Sequence, residues 1–168
     1  MQTRTAFTNL TPLPRSLSEA VAVRTLHDHA AMIKQNPLII HYERCAAPED
    51  AAPEDINGIW YELTDRVPYL PWGLLQGKVR YRGCFHDTPD GLRTHIYAPV
   101  GVQIRNHWTV QRRRGEPSYA GEDPPADALY LQEEIDLRCP FGTTSFVRRT
   151  LSQAHRELVA RLADAGRG

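Results

Sequence analysis

The chain has 168 residues, 41% of them hydrophobic and 24% charged, which suits one folded domain around a single core and argues against disorder. Twenty Lys and Arg balance twenty Asp and Glu, for zero formal net charge. Nucleic-acid binding, which draws most of its affinity from phosphate contacts, is therefore not expected. No apolar run reaches the roughly 20 residues of a membrane span, and the first residues lack a signal-peptide core. Cys45, Cys84 and Cys139 are odd in number and scattered, with no Cys-x-x-Cys pair. They point to a reduced, cytoplasmic protein without a zinc knuckle or redox motif.

Residues 3–10 read as a first strand, stopped by Thr11-Pro12-Leu13-Pro14. A helix follows. Ser16 and Glu19 have capping-box spacing, Ala22, Leu26, His29 and Ile33 share one stripe, and Pro37 ends it. Residues 38–42 are strand-like. They run into Ala46-Ala47-Pro48-Glu49-Asp50-Ala51-Ala52-Pro53-Glu54-Asp55, a tandem duplication whose composition suits an exposed loop. Residues 59–65 form the next strand, and Pro68 and Pro71 make the connection after it irregular.

The clearest element is a hairpin, with arms 78–86 and 92–97 joined through Thr88-Pro89-Asp90-Gly91. That order suits a type I turn finished by a glycine at positive φ. A four-residue connection sets Phe85 opposite Thr94, Gly83 opposite Ile96, Cys84 opposite His95 and Arg82 opposite Tyr97. One face is then mostly apolar and the other polar, which a three-residue loop would mix. Residues 100–110 alternate cleanly, as do 129–139, on either side of a Pro/Gly-rich loop at 112–127 in which Arg112-Arg113-Arg114 reads as solvated. Pro140-Phe141-Gly142 breaks the last strand. Thr143 or Thr144 can cap a long final helix with the stripe Val147, Leu151, Ala154, Leu158 and Leu162.

A strand, a helical segment, about six hairpin-linked strands and one long amphipathic helix imply an α+β fold. A curved antiparallel sheet of about seven strands would wrap the C-terminal helix, which must bury its stripe on the inner face.

That order resembles the START-like superfamily, which includes birch-pollen-allergen-like and polyketide cyclase/dehydrase-like proteins. The resemblance implies a single helix-grip domain over 1–168 that encloses a ligand cavity. Four strings are further similar to a family of short proteins of filamentous fungi: Trp60-Tyr61-Glu62-Leu63-Thr64-Asp65-Arg66, Cys84-Phe85-His86-Asp87, Thr94-His95-Ile96-Tyr97-Ala98-Pro99 and Thr144-Ser145-Phe146-Val147.

Candidate chemistry is sparse. His27 and His29, two apart on a helix, cannot share a metal. His86, His95 and His107 fall on the polar face, but Arg82, Arg93 and Arg105 share it, so no metal is expected. There is no Gly-x-Ser-x-Gly elbow and no Gly-x-Gly-x-x-Gly, so no cofactor is expected. The informative residues are polar ones in apolar company. Glu133 shares a strand face with Leu129, Leu131, Ile135 and Leu137; there it must be paired, protonated or facing a cavity. Asn106 sits likewise between Ile104 and Trp108, Tyr81 beside Phe85, and Tyr61 and Asp65 beside Leu63.

The expected cavity is bordered by Tyr81, Phe85, Thr94, Ile104, Trp108, Leu131 and the last helix, with its entrance at 68–75 or 112–127. The expected function is a cofactor-free cyclase, isomerase or dehydratase of fungal secondary metabolism, acting on an apolar polyketide- or terpenoid-like intermediate. Glu133 would be the acid/base, with Tyr81 and Asn106 beside it and Tyr61 and Asp65 contacting the ligand. The alternative is a non-catalytic carrier of a lipid- or sterol-like molecule. A homodimer is compatible with either.

Overall fold

The computed structural model describes residues 1–67, 77–113 and 127–167. Seven strands form one sheet: β1 (Gln2–Pro12), β2 (Ile39–Cys45), β3 (Ile59–Val67), β4 (Gly77–Thr88), β5 (Gly91–Tyr97), β6 (Gln103–Arg113) and β7 (Ala128–Pro140). Their order is β1-β7-β6-β5-β4-β3-β2, and every neighbouring pair is antiparallel. Consecutive hairpins therefore build all of the sheet except one edge, where β1 returns to pair β7.

Two short helices, α1 (Glu19–His27) and α2 (His29–Lys34), connect β1 to β2, and α3 (Thr144–Ala165) closes the chain. The cap of α1 is Ser18, whose hydroxyl accepts from the Val21 amide, rather than Ser16. The expected single helix is broken at Asp28, whose side chain accepts from the Ala31 amide and starts α2. The stripe survives the break: Ala22, Leu26, His29 and Ile33 are all buried.

The hairpin register is the one polarity dictates, with Phe85 opposite Thr94, Gly83 opposite Ile96 and Cys84 opposite His95. Gly91 departs from expectation. Thr88 pairs with Gly91, and Gly91 is not among the positive-φ residues. It is needed for a close approach instead, because a Cβ there would lie 1.8 Å from the Trp108 carbonyl oxygen on β6. Val100 also departs. It sits in a 3-10 turn at φ 55° ahead of β6, not at the start of the strand.

The last helix behaves as its stripe requires. Leu158 and Leu162 join a core with Leu26, Leu63, Phe85 and Leu131. Val147, Leu151 and Ala154 face strand residues across a cavity. Thr143 stands at its N-cap, but its hydroxyl donates to the Pro140 carbonyl at 2.8 Å rather than to the helix. Among the described residues, no helix is long and apolar enough to cross a membrane.

Candidate functional site: a cavity under the last helix

The concave face of β3 to β6 and the N-terminal half of α3 enclose a cavity of about 210 Å³. Its wall is mainly apolar, with Leu63, Phe85, Ile96, Ile104, Trp108 and, from the helix, Phe146, Val147 and Leu151. Two sets of polar residues on that wall bear on chemistry.

The first set stands where β3 and β4 meet the end of α2. The Tyr81 hydroxyl donates to Asp65 Oδ1 at 2.8 Å. Asn36 Nδ2 makes long contacts of 3.5 Å with Asp65 Oδ2 and with the Tyr81 hydroxyl. Burial raises the Asp65 carboxyl above its ordinary range, and the bonds from Tyr81 and Asn36 oppose that rise without cancelling it. Burial, reinforced by the neighbouring carboxylate, pushes the Tyr81 phenol well above its usual value. Tyr81 therefore remains a proton-bearing donor. Among the described residues, Asp65 is the wall's one carboxylate, desolvated and in contact with a fixed donor.

The second set lies on β6. Asn106, 7% exposed, donates through Nδ2 to Glu133 Oε1 at 3.3 Å. A carboxylate only accepts, so this bond fixes the orientation of the amide. Among the described residues, Asn106 Oδ1 is then left buried without a partner, as is Trp108 Nε1 two residues along the same strand face. Both residues line the cavity, and a buried acceptor or donor left without a partner costs about 1–3 kcal/mol.

Glu133 does not reach that wall. It is 2% exposed, and His155 Nδ1 of α3 meets its Oε2 at 2.6 Å, with His155 Nε2 3.2 Å from the Thr11 hydroxyl. Of the three fates open to a buried carboxylate, pairing is the one observed. Glu133 faces inward as the alternation predicts, but it pairs Trp108 on β6 and Asn9 on β1, and the C-terminal half of α3 covers it there. Tyr61 and Leu131 are likewise off the cavity. The Tyr61 hydroxyl lies 2.9 Å from His29 Nδ1, so the side chain reaches α2; Leu131 is fully buried in the core. Asp65, Tyr81, Phe85, Thr94, Ile104, Asn106 and Trp108 do line the cavity. Of the expected entrance, residues 68–75 lie outside the described residues, as do 114–126 of the second segment.

Two partners went unread in the sequence. His155 was legible, since Leu151, His155, Leu158 and Leu162 follow the 4-3-4 spacing of a buried seam. Asn36, beside Pro37, carried no signal beyond turn chemistry.

Solved structures share this architecture at low identity. The di-domain ARO/CYC StfQ of the steffimycin biosynthetic pathway superposes with a TM-score of 0.62 at 12% identity, over 98% of this chain and 51% of that one. This chain thus spans about half of that protein. Ara h 8.0201 superposes at 0.55 with 9% identity, over 96% of this chain and 98% of that one. A START superfamily protein from Mycobacterium smegmatis superposes at 0.53 with 14% identity, over 95% and 96%. The fold is therefore the START-like helix grip. No curated protein matches the sequence. The family model described as a domain of unknown function, DUF7053, matches residues 2–167, and the chain belongs to that family.

Proposed function

We propose that the cavity binds a compact apolar molecule bearing oxygen functions near its two ends, and that Asp65 with Tyr81 performs acid/base chemistry on it. The observation that carries this is that Asn106 and Trp108, whose buried Oδ1 and Nε1 have no partner among the described residues, both stand on a mainly apolar wall. A hydroxyl or enol accepts from one and donates to the other, and so recovers the cost of burying both. Tyr81 on β4 lies two strand spacings of ~4.8 Å from Asn106 and about four residues further along the sheet, and Asp65 on β3 lies one strand beyond it. A ligand touching both Asn106 and Tyr81 therefore spans on the order of 15 Å.

The cavity volume of about 210 Å³ falls below the ~300–1,000 Å³ typical of drug-sized sites. It suits a molecule of one to three rings more than an extended lipid. Such a molecule fits the class of polyketide- or terpenoid-like intermediates of secondary metabolism. A desolvated carboxylate and a phenol that keeps its proton are the parts a cyclisation, isomerisation or dehydration needs without a cofactor. The acid/base role thus moves from Glu133 to Asp65, and Glu133 becomes a positioning residue that holds the Asn106 amide. The competing reading is a carrier. It gains support from the separation of the two polar sets, which do not converge on one reacting atom.

The test compares 1-naphthol with naphthalene by calorimetry on the wild-type chain. Naphthol is expected to bind at least tenfold tighter, and Asn106→Leu is expected to erase the difference while naphthalene binding persists. Equal affinity for both in the wild type, or binding of neither, defeats the proposal. Asp65→Asn should leave naphthol affinity within about threefold, because that residue serves chemistry at the other end.

A further inference from the structure

The convex face carries a second constellation that the cavity does not use. A 3-10 turn at Pro53–Asp55 drops the second copy of the tandem repeat onto the sheet, and Asp55 becomes 4% exposed. Asp50, the same position in the first copy, is exposed. Asp55 Oδ1 lies 3.1 Å from His86 Nε2, and that nitrogen lies 3.2 Å from Cys84 Sγ. One ligand atom from each of the three falls within 4.8 Å of the others. A tetrahedral ion with bonds of about 2.0–2.3 Å spaces its ligand atoms by roughly 3.3–3.8 Å, and the two separations at His86 Nε2 lie within tenths of an ångström of that range.

Three features around these atoms point the same way. Asp55 Oδ2 accepts from His95 Nδ1 and from the Tyr97 hydroxyl, both at 2.6 Å. This fixes the carboxylate and leaves Oδ1 for the third partner, as outer hydrogen bonds do around ligating carboxylates. Gly58 sits over the cluster. A Cβ there would lie 2.2 Å from Cys84 Sγ and 3.0 Å from His86 Nε2. Its φ is outside the left-handed region, so what the glycine provides is space beside the two ligand atoms. Finally, His95 is 5% exposed and its Nε2 has no partner among the described residues. Asp55, His86 and His95 line one side of an open groove of about 550 Å³ on this face.

Arginines on this face argue against a cation when the sheet is read alone. The loop offsets part of that charge, because Glu54 pairs Arg105 at 3.1 Å and Asp55 brings a carboxylate to the cluster. We propose that Asp55, Cys84 and His86 bind a zinc-class divalent cation, with the remaining coordination position on the side of the groove. Thiolate, imidazole and carboxylate together select zinc and its neighbours. They do not suit magnesium or calcium, which take oxygen ligands. The site is independent of the cavity and of any chemistry there.

Cobalt(II) reports directly on a thiolate ligand through its sulfur-to-metal absorbance. The full chain, stripped with a chelator and desalted, is titrated with Co²⁺ and then with Zn²⁺. One equivalent should produce the sulfur-to-metal band, and zinc should displace it. Cys84→Ser should abolish the band, whereas Cys45→Ser and Cys139→Ser should leave it intact. His86→Ala and Gly58→Ala should each weaken binding at least tenfold. Zn²⁺ should raise the melting temperature of the wild type but not of the near-isosteric Cys84→Ser chain. Absence of the band in the wild type, or its persistence in Cys84→Ser, overturns the proposal.

Discussion

Glu133 shows how a single side chain can satisfy a sequence argument and change its meaning. Its inward position follows from strand alternation, but its carboxylate is held by His155 at 2.6 Å and by Asn106 at 3.3 Å. Removing one partner of a buried pair strands the other charge. His155→Leu should therefore cost about 3–5 kcal/mol in urea unfolding. The double variant Glu133→Leu/His155→Leu should recover most of that loss, because apolar replacement of a whole buried pair is often neutral. A double variant as unstable as the single one would mean that the pair does not act as a unit. The same logic separates Asp65, whose carboxylate stands at the cavity with Tyr81 donating at 2.8 Å and Asn36 at 3.5 Å.

At the scale of elements, α3 does two jobs with its two halves. Its C-terminal half packs into the core through Leu158, while Leu151 in the N-terminal half borders the cavity. Leu158→Ala should cost roughly 2–5 kcal/mol, the usual range for a core leucine. Leu151→Ala should cost clearly less, because it enlarges a space that already exists, and should admit a larger probe than 1-naphthol. Denaturant midpoints and calorimetry on the two variants check both halves of this statement, and equal losses would refute the division. The glycine of the β4–β5 turn belongs to this scale too. Gly91 is set by the backbone of a third strand, which no reading of the hairpin alone would reveal.

Across the whole molecule, two buried carboxylates have opposite effects on stability against pH. Burial works to raise the Asp55 carboxyl, but bonds from Tyr97, His95 and His86 outweigh it, and the net direction is downward. A depressed group stabilises above its unfolded value of about 3.9, and that stability is lost as pH falls through the lower folded value. Asp65 is raised, chiefly by burial. Its favourable contribution is complete below about 3.9 and disappears as pH rises through the higher folded value. Asp65→Asn should accordingly be more stable than wild type at pH 7, with the gap closing toward pH 3. Asp55→Asn should be less stable at pH 7, with its gap closing in the same direction. Urea midpoints across that range decide it. Parallel profiles for the wild type and either variant would contradict the assignment for that residue. An aspartate kept where it costs stability supports a role for Asp65 in chemistry.

Local pattern alone determined the strands, the long final helix, the register of the β4–β5 hairpin and the inward-facing stripe that closes the grip. Each rests on alternation of period two or on helical spacing, which neighbouring residues settle among themselves. The adjacency of Cys84 and His95 was legible in the same way, from register. Only the tertiary structure decided which polar residues meet. Asp50 and Asp55 occupy equivalent places in a perfect repeat, yet one is solvated and the other buried beneath Trp60 and Tyr97. Glu133 and Asp65 both point inward from strands, yet α3 covers the first and leaves the second at the cavity. Long-range contacts made these choices, through where a loop lands on the sheet and where a helix crosses it, and no window of local sequence contains that information.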